Sequence, residues 1–587
     1  IMNKYRSTDL NLDYNDSGYG AFAPGWTVLG GKKDVSDYEW AVWAPYLYFS
    51  VPWVCANLLG AEIVRYFCKE LLAVWYLTLS AMYILLHMGA LSLVSMLMEP
   101  CLMFTLLQLR SRAVLYIGGF ILLVLHNTDF KFAWLPISYD SQYLLMISTA
   151  WIYMRCQSYC HDALTSGQVS ASLTDLITLL GYSLYFPMLF LGPLILFDEF
   201  QTGLRKPYVP WTLRRVKMFI LNIMRFCWWA IFLEAMTHFL YISALQGDLK
   251  HMSRQGAWAH YGLGFGMGIV FQLKYVVTYG FNSTVAQAER YQAPRHPKCI
   301  GRIHLYSDMW KYFDEGLYNF LRKYVYMPLL RSSYSLLDKK FASLACFVFI
   351  YAWHRVYLFV LVWSTLNYLG VTLESLGRSI GNSTAYQHYE KMVMITPQNV
   401  RRLHAVLGTP LLIMSALSNF YFFAGMRVGN YYVKRLLAGS LQENCLLFFF
   451  CYCLSQVSIQ YLQLIKKHDK EMYNEIFCVL KNKISEKYNE ELQPDYISVD
   501  EAACMSAVRE RNPILSKSLT VSLSMSLRYK SSSDEMVLTK CLGYVLTMTK
   551  KSRFGHKEIL YNLPKEKCAE HGKSSKCPEL EIVEVLK

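Results

Sequence analysis

Long apolar stretches recur along most of the chain, and this recurrence constrains the fold more than any other feature of the sequence. A straight transmembrane helix needs about 20 predominantly apolar residues, and several stretches reach that length. The candidate spans lie near residues 42–62, 71–91, 91–109, 113–126, 143–160, 173–198, 216–245, 257–281, 341–373, 404–425 and 444–465. A series of this kind predicts an all-α polytopic membrane protein that contacts the lipid bilayer.

The composition excludes several other classes of protein. Hydrophobic residues make up 54% of the chain and charged residues only 17%, whereas soluble proteins carry about 25% charged residues. This balance excludes a disordered chain, a nucleic-acid-binding module and an ordinary cytosolic enzyme, so no nucleic-acid partner is expected.

The net charge of +15 comes largely from basic residues between the spans. The positive-inside rule predicts that these basic loops face the cytosol. The loop at residues 205–217 is the most basic of them, and it has a second interpretation. It could attract a polyanionic substrate such as the headgroup of coenzyme A.

The polar ends differ from the apolar body, which divides the chain into three parts. Residues 1–40 form a polar N-terminal segment, residues 41–465 the membrane domain and residues 466–587 a polar tail. The tail is expected to be cytosolic and largely disordered because it lacks long apolar runs. An extension introduced by a faulty gene model is the alternative explanation for the tail.

Two prolines interrupt one of the apolar stretches. Pro187 and Pro193 both lie within the segment Leu173–Phe197. Irregular backbone at membrane depth is tolerated only where protein or a water-filled cavity covers it. We therefore expect broken or re-entrant helices around a buried site, which occur in both enzymes and transporters.

His354 stands between two apolar runs, Phe341–Trp353 and a second that begins at Val356. Ionisable side chains in such positions are costly, so each is a candidate functional residue. Histidine is the usual general base near neutral pH. A hydrogen-bonded structural histidine is the alternative interpretation.

The amphipathic, aromatic segment Ser307–Leu330 contains a second candidate, Asp314, which is followed by Glu315. These carboxylates could be ordinary charges on the wet face of an interfacial helix. Alternatively, Asp314 points inward and works with a base elsewhere in the chain. Composition does not decide between the two interpretations.

An aromatic segment with a polar residue, followed by a histidine in a membrane span, resembles the membrane-bound O-acyltransferase (MBOAT) superfamily. Most branches have Asn at the polar position, whereas the Hedgehog acyltransferase branch has Asp in a Trp-Arg-Tyr-x-Asp-x-Gly-Leu context. The run Trp310-Lys311-Tyr312-Phe313-Asp314-Glu315-Gly316-Leu317 is similar to that pattern.

Further motifs extend the resemblance over roughly residues 28–465. They are Gly30-Gly31-Lys32-Lys33-Asp34, Asp37-Tyr38-Glu39-Trp40, Gly192-Pro193-Leu194-Ile195, Glu199-Phe200, Tyr324-Val325-Tyr326-Met327-Pro328, Trp353-His354, Leu366-Asn367-Tyr368-Leu369-Gly370-Val371-Thr372, Leu417-Ser418-Asn419-Phe420 and Val428-Gly429. Together these motifs are specific for the Hedgehog acyltransferase branch.

The resemblance implies a multi-pass protein of the endoplasmic reticulum membrane, with transmembrane and re-entrant helices around a buried catalytic cavity. It implies transfer of palmitate from palmitoyl-CoA, the co-substrate, to the N-terminal cysteine amine of the Hedgehog signalling domain. His354 matches the catalytic histidine, Asp314 the essential acidic residue and Trp310 a gate beside the acyl-CoA channel. Asn419 matches a polar residue of the cavity, and Cys299 matches a cysteine that binds haem b iron.

The chemistry of that reaction is consistent with these residue types. His354 is the favoured base, and Asp314 would orient the amine or share its proton. A thioester is already activated, so no catalytic metal is expected.

Three departures from the family pattern keep other functions open. The family's first span has no counterpart in residues 1–29, Arg355 stands where the family usually has Gly, and the tail has no counterpart. Arg355 could lower the pKa of His354, bind the CoA side or impair activity. The alternatives are a catalytically inactive relative that regulates palmitoylation, a lipid or metabolite transporter, and an acyltransferase for Wnt, ghrelin or lipid acceptors.

Overall fold

The structure is a computed structural model that describes residues 21–127, 135–167, 169–330, 335–393 and 396–488, together with four short strands beyond residue 520. The N-terminal half of the polar segment, residues 1–20, and much of the predicted tail lie outside the described residues. The division of the chain at residues 40 and 465 therefore stays a prediction.

The described chain begins with an antiparallel hairpin of strands β1 (Phe22–Pro24) and β2 (Lys32–Asp34), with Phe22 opposite Asp34. Helices then follow one another: α1 (Tyr38–Phe67), α2 (Leu72–His87), α3 (Ala90–Leu107), α4 (Arg112–His126), α5 (Tyr139–Thr165), α6 (Leu173–Ser183), α7 (Phe197–Arg205), α8 (Leu213–Phe239), α9 (Ile242–Gly247), α10 (Leu249–Ser253) and α11 (Ala257–Ala288).

The second half continues with short helices and then long ones. They are α12 (Tyr306–Phe313), α13 (Glu315–Phe320), a π-helical turn (Leu321–Tyr326), α14 (Met327–Leu329), α15 (Leu336–Trp353), α16 (Leu358–Gly381), α17 (Thr384–Val393), α18 (Pro397–Ala438) and α19 (Leu441–Tyr488). Short 3-10 turns occupy Lys69–Leu71, Phe186–Met188 and Ile300–Arg302.

Beyond residue 458 the chain forms a separate unit, Ile459–Lys587. In it the described strands pair antiparallel, β3 (Val521–Leu523) with β6 (Leu580–Ile582) and β4 (Leu546–Ser552) with β5 (Gly555–Tyr561). The first part of the predicted tail, up to Tyr488, continues α19 as helix.

Seven helices in the described part of the chain are long and apolar enough to cross a membrane. They lie at Tyr38–Phe67, Lys69–His87, Ala90–Leu107, Leu213–Phe239, Leu358–Gly381, Pro397–Ala438 and Leu441–Ile465. The prediction of an all-α polytopic membrane protein is confirmed, since the strands of the described membrane body are confined to the β1–β2 hairpin.

Helices α5 and α11 coincide with predicted spans, yet neither is among these seven. Every residue of α5 from Trp151 to His161 is buried within the protein. Buried helices need not be apolar on every face, and this stretch holds Arg155, whose guanidinium donates to the carbonyls of Ser183 and Met188. Helix α5 is therefore surrounded by neighbouring parts of the protein, whereas the outer spans are surrounded by lipid.

The interruption expected at the two prolines is confirmed. Helix α6 ends at Ser183, and irregular, fully buried backbone then leads to α7 at Phe197. The side chain of Asn282, on α11, donates to the carbonyl of Gly192 at 2.6 Å. Protein thus covers irregular backbone and satisfies one of its polar groups, as the membrane interior demands.

The prediction of one span over residues 341–373 is wrong. The structure has two helices there, with α15 ending at Trp353 and α16 beginning at Leu358. Arg355 between them has a φ of 80°, a left-handed conformation that a right-handed helix does not contain. Only His354 and Arg355 interrupt the apolar sequence here, and two polar residues are too short an interruption to predict a helix end.

Candidate active site

A largely apolar cavity of about 330 Å³ lies among α11, α12, α15, α16 and α18. Aromatic side chains form much of its wall, including Tyr275, Phe313, Trp363 and Phe423. Asp314, His354, Trp310 and Asn419 also line it. A volume of roughly 300–1,000 Å³, apolar walls and a few convergent polar groups are typical of ligand pockets.

Asp314 occupies a break between two short helices. Its extended backbone ends α12, and its side chain begins α13 as the N-cap, with Oδ1 accepting a hydrogen bond from the Leu317 backbone N–H at 2.9 Å. The second oxygen, Oδ2, accepts a hydrogen bond from the hydroxyl of Tyr279 at 2.7 Å. Both carboxylate oxygens are thus held by the protein, which fixes the orientation of this group.

Gly316 explains how the break can pack so tightly. A Cβ atom at this position would lie 2.4 Å from the carbonyl oxygen of Leu194, on the irregular segment that follows α6. Only glycine permits this approach without moving one of the two backbones. The irregular segment after α6 thus packs directly against the turn that carries Asp314 and supports it.

His354 lies at the second helix break. It caps the C-terminus of α15, with its backbone N–H donating to the Ile350 carbonyl at 2.9 Å. Three rings face the imidazole edge-on, with centroid distances of 4.7 Å to Trp353, 5.5 Å to Trp363 and 5.1 Å to Phe422. Among the described residues the imidazole has no hydrogen-bond partner, so its nitrogens are open to a ligand in the cavity.

Aromatic rings connect the two breaks. Tyr279, which binds Asp314, lies 6.5 Å from Trp151 between ring centroids. Trp151 lies 5.4 Å from Trp353, the residue that precedes His354 and packs against it. Although residues 314 and 354 are distant in sequence, their side chains therefore face one aromatic cavity.

Trp310 and Asn419 extend the lining on the side of Trp363. The ring of Trp310 lies 5.5 Å from that of Trp363, and its indole N–H is buried without a hydrogen-bond partner among the described residues. The side-chain oxygen of Asn419 accepts a hydrogen bond from Trp363 Nε1 at 3.3 Å. Trp363 thereby links His354 to both residues.

Arg355 does not line the cavity, although it follows His354 directly. Its guanidinium contacts the Tyr357 hydroxyl at 3.2 Å and the sulfur of Met146. The sequence resemblance implies Gly at this position, and the φ of 80° gives the physical reason, because left-handed backbone favours glycine. The added charge therefore points away from the cavity that holds His354.

The structure does not bring Cys299 into this group. Its thiol is exposed, and the cavity is lined by Ile300 and Gly301 but not by Cys299. A cysteine thiolate can hold haem iron, and burial around the macrocycle is one of the ways in which a protein tunes such a group. The described surroundings of Cys299 do not fit such a group, so no reaction step is assigned to haem.

Sequence reasoning missed the residues that hold the candidate site in place. Tyr279, Trp151 and Trp363 carry no local signal, since the chain has 44 Tyr and 14 Trp residues. Their importance depends on long-range neighbours, such as the 35 positions that separate Tyr279 from Asp314. Trp353, in contrast, was part of the Trp353-His354 motif found in the sequence.

Comparison with known proteins agrees with this geometry. The model of the membrane-bound O-acyltransferase family matches residues 123–418, which contain both helix breaks. The protein-cysteine N-palmitoyltransferase Rasp of Drosophila melanogaster is 29% identical over 446 residues, which cover 74% of this chain and 87% of the relative.

Two mouse proteins are also similar over most of their length. The protein-cysteine N-palmitoyltransferase HHAT is 28% identical over 74% of this chain and 90% of its own. The HHAT-like protein is 24% identical over 76% of this chain and 88% of its own. With a family match across half of its residues and relatives that cover about three quarters of it, this chain belongs to the membrane-bound O-acyltransferase family.

Proposed function

We propose that this protein is a protein-cysteine N-palmitoyltransferase that moves palmitate from palmitoyl-CoA to the N-terminal cysteine amine of Hedgehog. The observation that carries the proposal is the convergence of Asp314 and His354 on one apolar cavity. Relatives named as palmitoyltransferases align with the chain across that region. The multi-pass fold is consistent with action in the endoplasmic reticulum membrane, which remains part of the proposal.

The cavity suits the acyl chain of the co-substrate. Its walls are mainly apolar and aromatic, and burial of a hydrocarbon chain contributes about 0.8 kcal/mol per CH₂ group. Trp310 lies at this wall with a buried indole N–H. In this position it could control the entry of the acyl chain into the cavity. We assign it the role of a gate and Asn419 the role of a polar contact.

His354 is proposed as the general base. The N-terminal amine of a peptide has an ordinary pKa of about 7.7–8.0, so a neutral imidazole can accept its proton without a strong driving force. The amine nitrogen attacks the thioester carbonyl, a carbon–nitrogen bond forms, and the carbon–sulfur bond breaks. The amide nitrogen loses its second proton to the solvent, and the departing CoA thiolate takes the proton that His354 has accepted.

Asp314 is proposed to orient the amine rather than to remove its proton. Both of its oxygens already accept hydrogen bonds, from Tyr279 and from Leu317. A carboxylate fixed in this way can still attract a positively charged amine through its remaining lone pairs. In this arrangement the imidazole of His354, which has no hydrogen-bond partner among the described residues, carries the proton.

The alternative of a catalytically inactive regulator was left open by Arg355. Its guanidinium is directed to Tyr357 and Met146 rather than to the cavity, so this residue gives no reason to expect inactivity. The presence of both Asp314 and His354 at the cavity wall supports the enzyme.

The direct test uses the purified full chain in detergent, labelled palmitoyl-CoA and a peptide with the N-terminal sequence of Hedgehog. We expect labelled palmitate on the peptide as an amide that resists hydroxylamine. The matched control is the same peptide with an acetylated N-terminus, which should accept nothing because its amine is blocked. Equal labelling of both peptides, or of neither, would contradict the proposal.

A further inference from the structure

Asn127, the residue that follows α4, contacts the His354 turn on both sides. Its amide nitrogen donates to the Ala352 carbonyl at 2.7 Å. Its amide oxygen accepts from the Val356 backbone N–H, also at 2.7 Å. One side chain thus binds the backbone two residues before His354 and two residues after it.

These two bonds act where the backbone leaves the helical conformation. The helix ends at Trp353, and Arg355 then adopts a φ of 80°. Left-handed backbone costs a residue other than glycine about 1–2 kcal/mol, so the sequence does not favour this turn by itself. A contact from another helix has to hold it.

Asn127 is itself fixed by its own helix. Its amide nitrogen also donates to the Leu123 carbonyl at 2.8 Å, one turn earlier in α4. The preceding residue, His126, contacts the Leu122 carbonyl through Nδ1 at 2.9 Å. Its Nε2 lies 3.4 Å from the buried carboxylate of Glu99 on α3. Neither this nitrogen nor the Glu99 carboxylate has a hydrogen-bond partner among the described residues. The position of Asn127 is therefore set within α4, which packs beside α3 at this point.

A second contact holds the turn from another direction. The indole N–H of Trp353 donates to the Ala150 carbonyl of α5 at 3.1 Å. Together with Asn127, this hydrogen bond fixes the backbone around His354. Among the described residues, the imidazole ring itself is held only by its edge-on contacts with aromatic rings.

We propose that Asn127 is a positioning residue for His354, which rests on the function proposed above. It sets the position of the imidazole in the cavity without touching the substrate. Misplacement of a catalytic group by about 1 Å can slow a reaction by roughly 100-fold. Asn127 does not line the cavity, so the affinity for palmitoyl-CoA should not depend on it.

The first test replaces Asn127 by Ala and by Asp. Asn127→Ala removes both bonds, whereas Asn127→Asp keeps the shape of the side chain and the acceptor for Val356. Asp cannot donate from its ionised form and places negative charge against the Ala352 carbonyl. We expect both variants to lower kcat by about 10–100-fold with the KM for palmitoyl-CoA unchanged.

Gln108 offers a matched control. Its side-chain amide donates to the carbonyls of Phe104 and Ser170 at 3.2 and 3.3 Å, far along the chain from the His354 turn. Gln108→Ala also removes an amide that bridges two backbone segments. It should keep the kcat of the wild type.

Hydrogen exchange of the backbone segment 351–358 supplies a readout that does not need activity. We expect faster exchange there in Asn127→Ala and not in Gln108→Ala. A fall in kcat without faster exchange, or faster exchange with normal kcat, would overturn the positioning role. If the wild type transfers no palmitate, the proposed function fails, while the exchange measurement still decides whether Asn127 holds the turn.

Discussion

The two helix breaks that face the cavity are built in opposite ways. At the Asp314 break, hydrogen bonds fix both oxygens of the functional side chain. At the His354 break, hydrogen bonds fix only the backbone, and the imidazole is surrounded by aromatic rings. A fixed carboxylate suits the orientation of a substrate amine, whereas a ring without protein hydrogen bonds suits the transfer of a proton.

The largest effect is expected at the His354 break. His354→Ala should lower the single-turnover rate of palmitoyl transfer by about 10²–10⁴-fold, because general-base catalysis supplies that range. The exposed His404, which lies 3.8 Å from Glu390, provides a control. His404→Ala should transfer palmitate at the wild-type rate, and a comparable loss in both variants would argue against a special role for His354.

At the Asp314 break, two substitutions separate the effect of the negative charge of Asp314 from the effect of its role as the N-cap of α13. Asn retains an oxygen for the Leu317 N–H, so Asp314→Asn should fold normally but lose the charged contact to the amine. A hydrogen bond to a charged group contributes about 1.5–3 kcal/mol, so the rate should fall by about 10–150-fold. Asp314→Ala should also lower the thermal midpoint because the helix cap is lost. A fully active Asp314→Asn protein would show that the carboxylate only caps α13.

A smaller effect is expected from Tyr279→Phe. This change removes only the hydroxyl that donates to Asp314 Oδ2 and leaves the ring that lines the cavity. A hydrogen bond of this kind contributes about 0.5–1.5 kcal/mol net, so its loss should lower the transfer rate by roughly two- to tenfold. In a protein that already carries Asp314→Asn, Tyr279→Phe should lower the transfer rate by a smaller factor than it does in the wild type. Equal losses in both backgrounds would mean that Tyr279 acts independently of Asp314.

The smallest effect on activity is expected at Arg355, where stability should change instead. Arg355→Gly accommodates the φ of 80°, whereas Arg355→Ala loses the same guanidinium contacts and keeps the unfavourable conformation. We expect Gly to be more stable than Ala by about 1 kcal/mol in thermal unfolding, with both variants active. An Ala variant as stable as Gly would show that the left-handed conformation costs the turn nothing.

Much of the fold could be predicted from the sequence, because apolar periodicity and length determine most of the long helices. The series of spans gave the all-α polytopic class, and Pro187 and Pro193 correctly marked the irregular segment after α6. The break at His354 was missed because both sides of it are equally apolar. The two polar residues between the runs did not predict the break, which is seen in the helix ends and in the backbone angle of Arg355.

The candidate site was predictable only in part, for a related reason. Asp314 and His354 stood out as ionisable groups in apolar surroundings, and motif resemblance added Trp310 and Asn419. Asn127 and Tyr279 did not stand out, because their roles arise from contacts across 225 and 35 positions of sequence. Cys299 was suggested by resemblance alone, and the exposed position of its thiol does not support that assignment.

The central claim is that the two breaks form one reacting unit, and a double-mutant cycle on the single-turnover rate tests it most directly. The rate of palmitoyl transfer would be measured for the wild type, His354→Ala, Asp314→Asn and the double variant. If Asp314 acts by presenting the amine to His354, the double variant should be about as slow as His354→Ala alone, because residues that act as a unit are not additive. Losses that multiply in the double variant would show that the two residues act independently and would contradict the account.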